Sequence, residues 1–239
     1  MNIESRIKNY WDGRSEDFGR VRRRELESAD ADAWLNYIEK KISARSGLKI
    51  LDVGTGAGFF AVLMSRRGHE VTGIDLSMEM LREAKKNIAA FDCRAEFLKM
   101  SADELNFADN SFDVVMSRNL TWTLPNVEKA YREWRRVLKV GGVLWNFDSD
   151  YGDKNFFDVT TCGRGGVSET QLDECGAIKN ALSISRCRRP SWDAEFLRSL
   201  GFDVTVDEDI APLVHLDKSL DFDRVPLFAI TAIRDSLKD

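Results

Sequence analysis

The run KILDVGTGAGFFAVLMSRR (residues 49–67) restricts the fold more than any other part of the chain. KILDV is a short apolar stretch that reads as a buried strand, and FFAVLMSRR reads as an apolar helix. Three glycines must therefore carry the chain from one into the other. Gly54, Gly56 and Gly58 permit sharp bends and a close approach to a ligand that any Cβ would obstruct. Amide groups at the helix start favour a carboxylate or a phosphate. The spacing is GxGxG, and Phe59 stands where a dinucleotide fingerprint has its third glycine. Asp52, just upstream of the first glycine, adds negative charge, which suits a cationic ligand better than a pyrophosphate.

Strand and helix then alternate. Strands are expected at 70–76, 93–100, 112–118 and from Gly141 to Asp148. Ser77 is placed to cap a helix whose Met78, Leu81, Ala84 and Ile88 share a face. Pro125 suits the first turn of a helix that carries Val127, Ala130, Tyr131, Trp134, Val137 and Leu138 inward and stops at Gly141-Gly142. Such alternation means a parallel sheet covered on both faces, with all parallel strands ending at one ligand-binding edge. A helix at SWDAEFLRSLGF precedes strands at 202–209 and 227–234, and if these two pair antiparallel, their connection (210–226) overhangs that edge too. Residues 151–190 are polar, show no clear period, and are too long for a simple connection, where about 2–6 residues are usual. They are expected to form a cover over an acceptor. Residues 1–47 read as helical, with Ala31, Trp34, Leu35, Ile38 and Ile42 forming one apolar stripe that Gly47 ends.

The 35 basic and 40 acidic residues leave a net charge of −5, which gives no global footprint for nucleic acid. The run RVRRR (20–24) reads as a solvated helix face, with Arg118, Arg186, Arg188 and Arg189 as further anion-binding candidates. The cysteines at 93, 162, 175 and 187 show no CxxC spacing. The group Cys162, Cys175 and Cys187 reads as unpaired thiols in preference to a soft-metal or arsenic site, and no metal is expected. No basic n-region or apolar run of about 20 residues appears, so a cytoplasmic protein without membrane attachment is expected.

Asp75 ends the second strand, where a carboxylate can accept both ribose hydroxyls of an adenosine, as in dinucleotide folds. That feature alone does not separate NAD from S-adenosylmethionine. LDVGTGAG, GIDLSMEML, SADELNFADNSFDVVMSRN and a helix leading to RVLKVGGVLWNFD occur in order, and together they resemble class I S-adenosylmethionine-dependent methyltransferases of the small-molecule type (methyltransferase domain 11-like). The resemblance covers roughly residues 45–150, with an echo in FLRSLGFDV, and departs at Val140, where the family usually has proline.

The resemblance implies an α/β, Rossmann-like, mostly parallel seven-stranded sheet of order 3-2-1-4-5-7-6, with the last strand antiparallel and helices on both faces. It divides the chain into an N-terminal helical lid (1–46) and a methyltransferase domain (47–239) with a substrate cover at about 151–190. Asp52, Gly54, Thr55, Gly56 and Gly58 would line the methionine part of S-adenosylmethionine, and Asp75 would bind the ribose. Leu76 would pack on the adenine, and Asp103 would accept its amino group beside Ala102 and Glu104. Ser117, Arg118 and Asn119 would lie near the sulfonium, with Tyr10 and Trp11 as lid contacts.

The implied reaction is in-line methyl transfer to a small-molecule acceptor by a monomer or homodimer. A general base is needed only if the acceptor must lose a proton, and Asp148, Tyr151 and His215 are the candidates, with Asp150 beside them. His69 lies at the opposite edge. The fourth strand lacks an Asn/Asp-Pro-Pro-aromatic tetrad, and no Pro-Cys dipeptide occurs, so base methylation of nucleic acid is not expected. The alternatives are an RNA methyltransferase that borrows a basic partner, an NAD(P)-binding oxidoreductase, or a cofactor-binding protein without transfer activity.

Overall fold

The structure, a computed structural model, describes residues 2–41, 47–159 and 167–235. Apolar alternation on the central strands builds two layers of core. On β1 (Lys49–Val53), Leu51 and Val53 point to one face and Ile50 to the other. Its neighbours are β2 (Glu70–Asp75), β3 (Glu96–Lys99), β4 (Phe112–Arg118), β5 (Leu138–Ser149), β6 (Phe202–Asp207) and β7 (Leu227–Arg234). The order is β3-β2-β1-β4-β5-β7-β6. The pairs from β3 to β5 are parallel, and β7 runs antiparallel to both β5 and β6, as the resemblance implied.

Helices α3 (Phe59–Arg66) and α2 (Ala29–Glu39) cover one face. Trp34 of α2 is fully buried there, edge-on to Phe60 and Phe147 with ring centroids 5.2 and 5.1 Å away. Ile42, the last residue of the expected stripe, lies outside the described residues. Helix α5 (Val127–Val137) and helix α8 (Ser191–Ser199) cover the other face through Trp134, Tyr131 and Leu197.

Helix α4 (Met78–Ala90) follows β2, and Ser77 caps it by accepting from the Met80 amide at 3.0 Å. Its buried face is Met80, Leu81, Ala84, Asn87 and Ile88; Met78, expected inside, is exposed because it opens the helix on the solvent side. The long helix α1 (Ile3–Leu26) crosses α4 so closely that a Cβ on Gly19 would sit 2.7 Å from Glu83 Oε2. Arg23 Nε donates to Asn87 Oδ1 (3.0 Å), and the Ser77 hydroxyl donates to Asp12 (2.6 Å).

Two expectations are corrected. Gly141-Gly142 does not stop α5: the helix ends at Val137 and passes directly into β5. The glycines form an irregularity inside that strand, where Gly141 has φ +74° and a Cβ on Gly142 would sit 2.8 Å from the Lys139 carbonyl. The segment 151–190 also contains two helices, α6 (Phe156–Val159) and α7 (Glu169–Ala181). Helix α7 escapes a periodicity search because only Cys175, Ile178 and Lys179 are buried on it. Lys179 spends its ammonium on the carbonyls of Tyr151, Gly152 and Lys154. No helix among the described residues is long and apolar enough to cross a membrane.

Candidate active site

The parallel strands deliver their carboxyl ends to one cleft. At the end of β1 the chain turns through Gly54 in the left-handed region (φ +66°), and a Cβ there would lie 2.7 Å from the Leu120 side chain. Only glycine lets this turn and the loop after β4 approach each other. Asp52 accepts from the Thr55 hydroxyl at 2.6 Å. Asp75 accepts from the amides of Gly56 (3.0 Å) and Ser77 (2.8 Å), which ties the end of β2 to the glycine turn.

Among the described residues neither carboxylate has an ion-pair partner. Burial raises Asp52 to about 7, with Asp75 adding to the effect, and burial raises Asp75 to about 6. Buried Asp52 and partly buried Asp75, both held this high, face one cleft, an environment that a positively charged ligand relieves. Apolar groups supply much of the remaining wall: Phe59, Phe60, Leu76, Met80 and Ala102 from the sheet side, and Ile7 and Trp11 from α1. Asp103 stands at the far end and accepts from Ser101 (2.7 Å).

Of the cofactor residues expected from sequence, Asp52, Gly54, Thr55, Gly56, Asp75, Leu76, Ala102, Asp103, Arg118 and Asn119 line this one cleft. Three do not. Gly58 caps α3 at φ +82° and packs on Ala84. Ser117 is fully buried and donates to Asn146 at 3.0 Å, because strand alternation turns it away from the ligand edge. Tyr10 faces a neighbouring cavity, and Trp11, one step round α1, takes the cleft position. Lys8, Phe18 and Arg22 also line the cleft. The helical spacing of Lys8, Trp11 and Phe18, near multiples of 3.6 residues, is the one sequence signal that could have grouped them.

The basic run is solvated only in part: Arg20 and Arg24 are exposed, whereas Arg22 is buried. Arg22 pairs with buried Glu25, Arg23 with Asn87, and Arg24 with the Ser219 carbonyl; Arg20 pairs with Asp17. Glu25 also pairs with Arg118 at 2.9 Å. Burial would raise the Glu25 carboxyl, but Arg118 and Arg22 outweigh it and hold it low. The Arg118 guanidinium lies over Trp34 (4.6 Å) and Phe59 (4.8 Å), and burial lowers it to about 10.

His215 sits behind Arg118, its Nε2 3.4 Å from Nη2, and stacks on Phe222. Burial, reinforced by Arg118, drops the imidazole to about 3, so it is neutral at physiological pH and a weak proton acceptor. Asp148 is buried beneath the 3₁₀ turn Thr121–Thr123 and accepts from Thr121, the Trp122 amide (3.0 Å) and Arg189 (3.3 Å). Asp150 caps the next turn through the Gly152 amide. Tyr151 alone of the candidate bases lines the neighbouring cavity, where its hydroxyl donates to Asp223 (2.8 Å). Burial and Asp223 push that phenol well above its ordinary value, so it serves as a donor and not as a base.

Burial raises the thiols of Cys93, Cys175 and Cys187, Cys175 to about 12, and all three are unpaired. Cys162 lies outside the described residues. Among those described, no group of three metal-ligating side chains occurs.

A sheet of this order with β7 reversed, bearing a GxGxG turn after β1 and an acid at the end of β2, defines the Rossmann-like methyltransferase fold. Residues 51–146 match the family model described as a methyltransferase domain. It is similar to a sterol 24-C-methyltransferase of Yarrowia lipolytica, 26% identical over 88% of this chain and 54% of that protein. A malonyl-[acyl-carrier protein] O-methyltransferase of Erwinia pyrifoliae is 43% identical over 41% of this chain and 37% of its own length. The chain thus spans about half or less of the length of the curated relatives it matches. A solved S-adenosylmethionine-dependent methyltransferase from Aquifex aeolicus shares the fold, with a TM-score of 0.57, 20% identity, and 83% of this chain and 88% of that chain covered.

Proposed function

We propose that this chain binds S-adenosylmethionine in the cleft at the end of β1 and transfers its methyl group to a small-molecule acceptor by in-line displacement. The observation that carries the reading is the pair Asp52, buried, and Asp75, partly buried, which stand at opposite sides of a glycine turn with neither in an ion pair. The bound cofactor supplies an electrophilic methyl group on a sulfonium. Asp52 and the backbone of Gly54 to Gly56 hold its charged amino-acid end, Asp75 takes the ribose, and Leu76, Ala102 and Asp103 take the adenine. The rest of the site positions the acceptor and excludes water, which is most of what such a reaction requires. Titration calorimetry is expected to show S-adenosylhomocysteine binding with NAD giving no heat. The reverse order of affinity would replace this reading with the oxidoreductase one.

Helix α1 is the lid in this reading, and segment 151–190 is the cover. Ile7, Lys8, Trp11 and Phe18 close the cleft from above, whereas Trp34 anchors α2 in the core. Ligand binding and the ordering of α1 are then coupled. Hydrogen exchange is expected to slow around residues 10–18 when S-adenosylhomocysteine is added, with α2 unchanged. Equal exchange in both states would remove the lid role.

A further inference from the structure

We propose that the cavity beside the cofactor cleft holds the methyl acceptor, and that it selects an anionic group on a planar, apolar body, with Arg14 as the anchoring cation. The proposal rests on the methyltransferase reading and adds the acceptor class. Trp11, Phe18, Arg22 and Asn119 line both cavities, so a molecule in the second lies against the first. One wall is aromatic: Trp122 stands 5.0 Å from Tyr151 and 5.4 Å from Phe156 between ring centroids, and the last two are 5.1 Å apart. Such a wall accepts a flat apolar body.

Across from it stands Arg14, only 9% exposed. Its Nη1 donates to the Tyr10 hydroxyl at 3.0 Å, while its Nε is buried and has no hydrogen-bond partner. No carboxylate among the described residues lies within ion-pair distance of it. The other buried arginines near the site differ: Arg22 and Arg118 share Glu25, and Arg189 has Asp148 and Asp193. A guanidinium buried without a counterion is costly and is relieved by an anion that reaches the part of it lining the cavity. The acids on the same cavity, Asp17, Asp221 and Asp223, form no ion pair with Arg14; Asp17 pairs with Arg20, and Asp223 accepts from Tyr151. A carboxylate or phosphate on the acceptor meets the geometry of the guanidinium edge.

The test titrates the full chain, saturated with S-adenosylhomocysteine, with benzoate and phenyl phosphate, and with benzyl alcohol and benzylamine as neutral and cationic controls. At least one anionic probe is expected to bind about tenfold or more tighter than either control, as charge-assisted hydrogen bonding implies. The comparison of benzoate with phenyl phosphate tells carboxylate from phosphate selection. Arg14→Gln is expected to erase the preference and Arg14→Lys to keep part of it, with S-adenosylhomocysteine affinity within about twofold in both as the check on folding. Equal binding of anionic and control probes to the unsubstituted chain, binding of no probe, tighter binding of benzylamine, or a preference that survives Arg14→Gln would each overturn the proposal. The four-probe comparison needs no variant, so misfolding of Arg14→Gln leaves it decisive. If S-adenosylhomocysteine does not bind at all, the cofactor reading fails by itself, and the same probes still read the charge preference of the cavity.

Discussion

Replacing Arg189 with alanine is expected to destabilise the chain by about 3–5 kcal/mol, the usual cost of removing one partner from a buried ion cluster. Arg189 is almost fully buried and holds Asp193 through two bonds of 2.8 Å, Asp148 at 3.3 Å and the Thr121 hydroxyl at 2.6 Å. Tyr131 adds a 2.6 Å bond to Asp193, and Asn146 Nδ2 donates to that phenol at 2.9 Å. Burial already raises the Asp148 carboxyl even with Arg189 beside it, so the alanine variant leaves two carboxylates in the core without a counterion. The same cluster anchors the turn that presents Trp122 to the second cavity. Denaturant unfolding measures the effect. A midpoint corresponding to less than about 1 kcal/mol would mean that the cluster is solvated in solution and does not brace the turn. Arg189→Lys keeps the charge but loses the planar two-point grip on Asp193, and should fall between the two.

Asp75→Ala should weaken S-adenosylhomocysteine binding by more than about 1.5 kcal/mol, the scale of hydrogen bonds to a charged acceptor. Asp75 also receives the Gly56 and Ser77 amides, so its loss loosens the glycine turn that faces the ligand. An unchanged dissociation constant in calorimetry would sink the ribose assignment. The companion acid gives a pH dependence whose sign follows from its environment. Asp52 titrates near 7 without ligand, and the cofactor's ammonium favours its ionised form, so binding below that pH must expel a proton. Affinity should therefore climb as pH is raised from about 5.5 to 7.5 and level off above. A flat profile in the unsubstituted chain would show that Asp52 does not meet the charged end of the ligand.

Much of the cleft was legible because its residues sit at strand ends. A strand end fixes both the position of a residue on the sheet edge and, through the period of two, the face to which it points. Asp52, Gly54 and Asp75 could be placed on the cleft for that reason. Ser117 breaks the pattern: it shares the strand end with Arg118, but its side chain faces Asn146. Asp148 and His215 have suitable chemistry and edge positions, yet each is engaged by an arginine that only the fold brings near, Arg189 from the end of the cover and Arg118 from β4.

The strand-glycine-helix run, the alternation after it and the acid at the end of β2 determined the sheet, its carboxyl edge and one wall of the cleft there. These are local patterns, readable from spacing, because each residue's role depends on its own strand or turn. Only the tertiary structure decided what lines the second cavity. The aromatic wall combines residues near positions 122, 151 and 156, and Arg14 comes from a helix at the other end of the chain. The burial that gives Arg14 its need for an anion exists only once α1 has packed across the sheet edge. Charge in a sequence is a count, whereas the cost of an unpaired charge depends on what surrounds it.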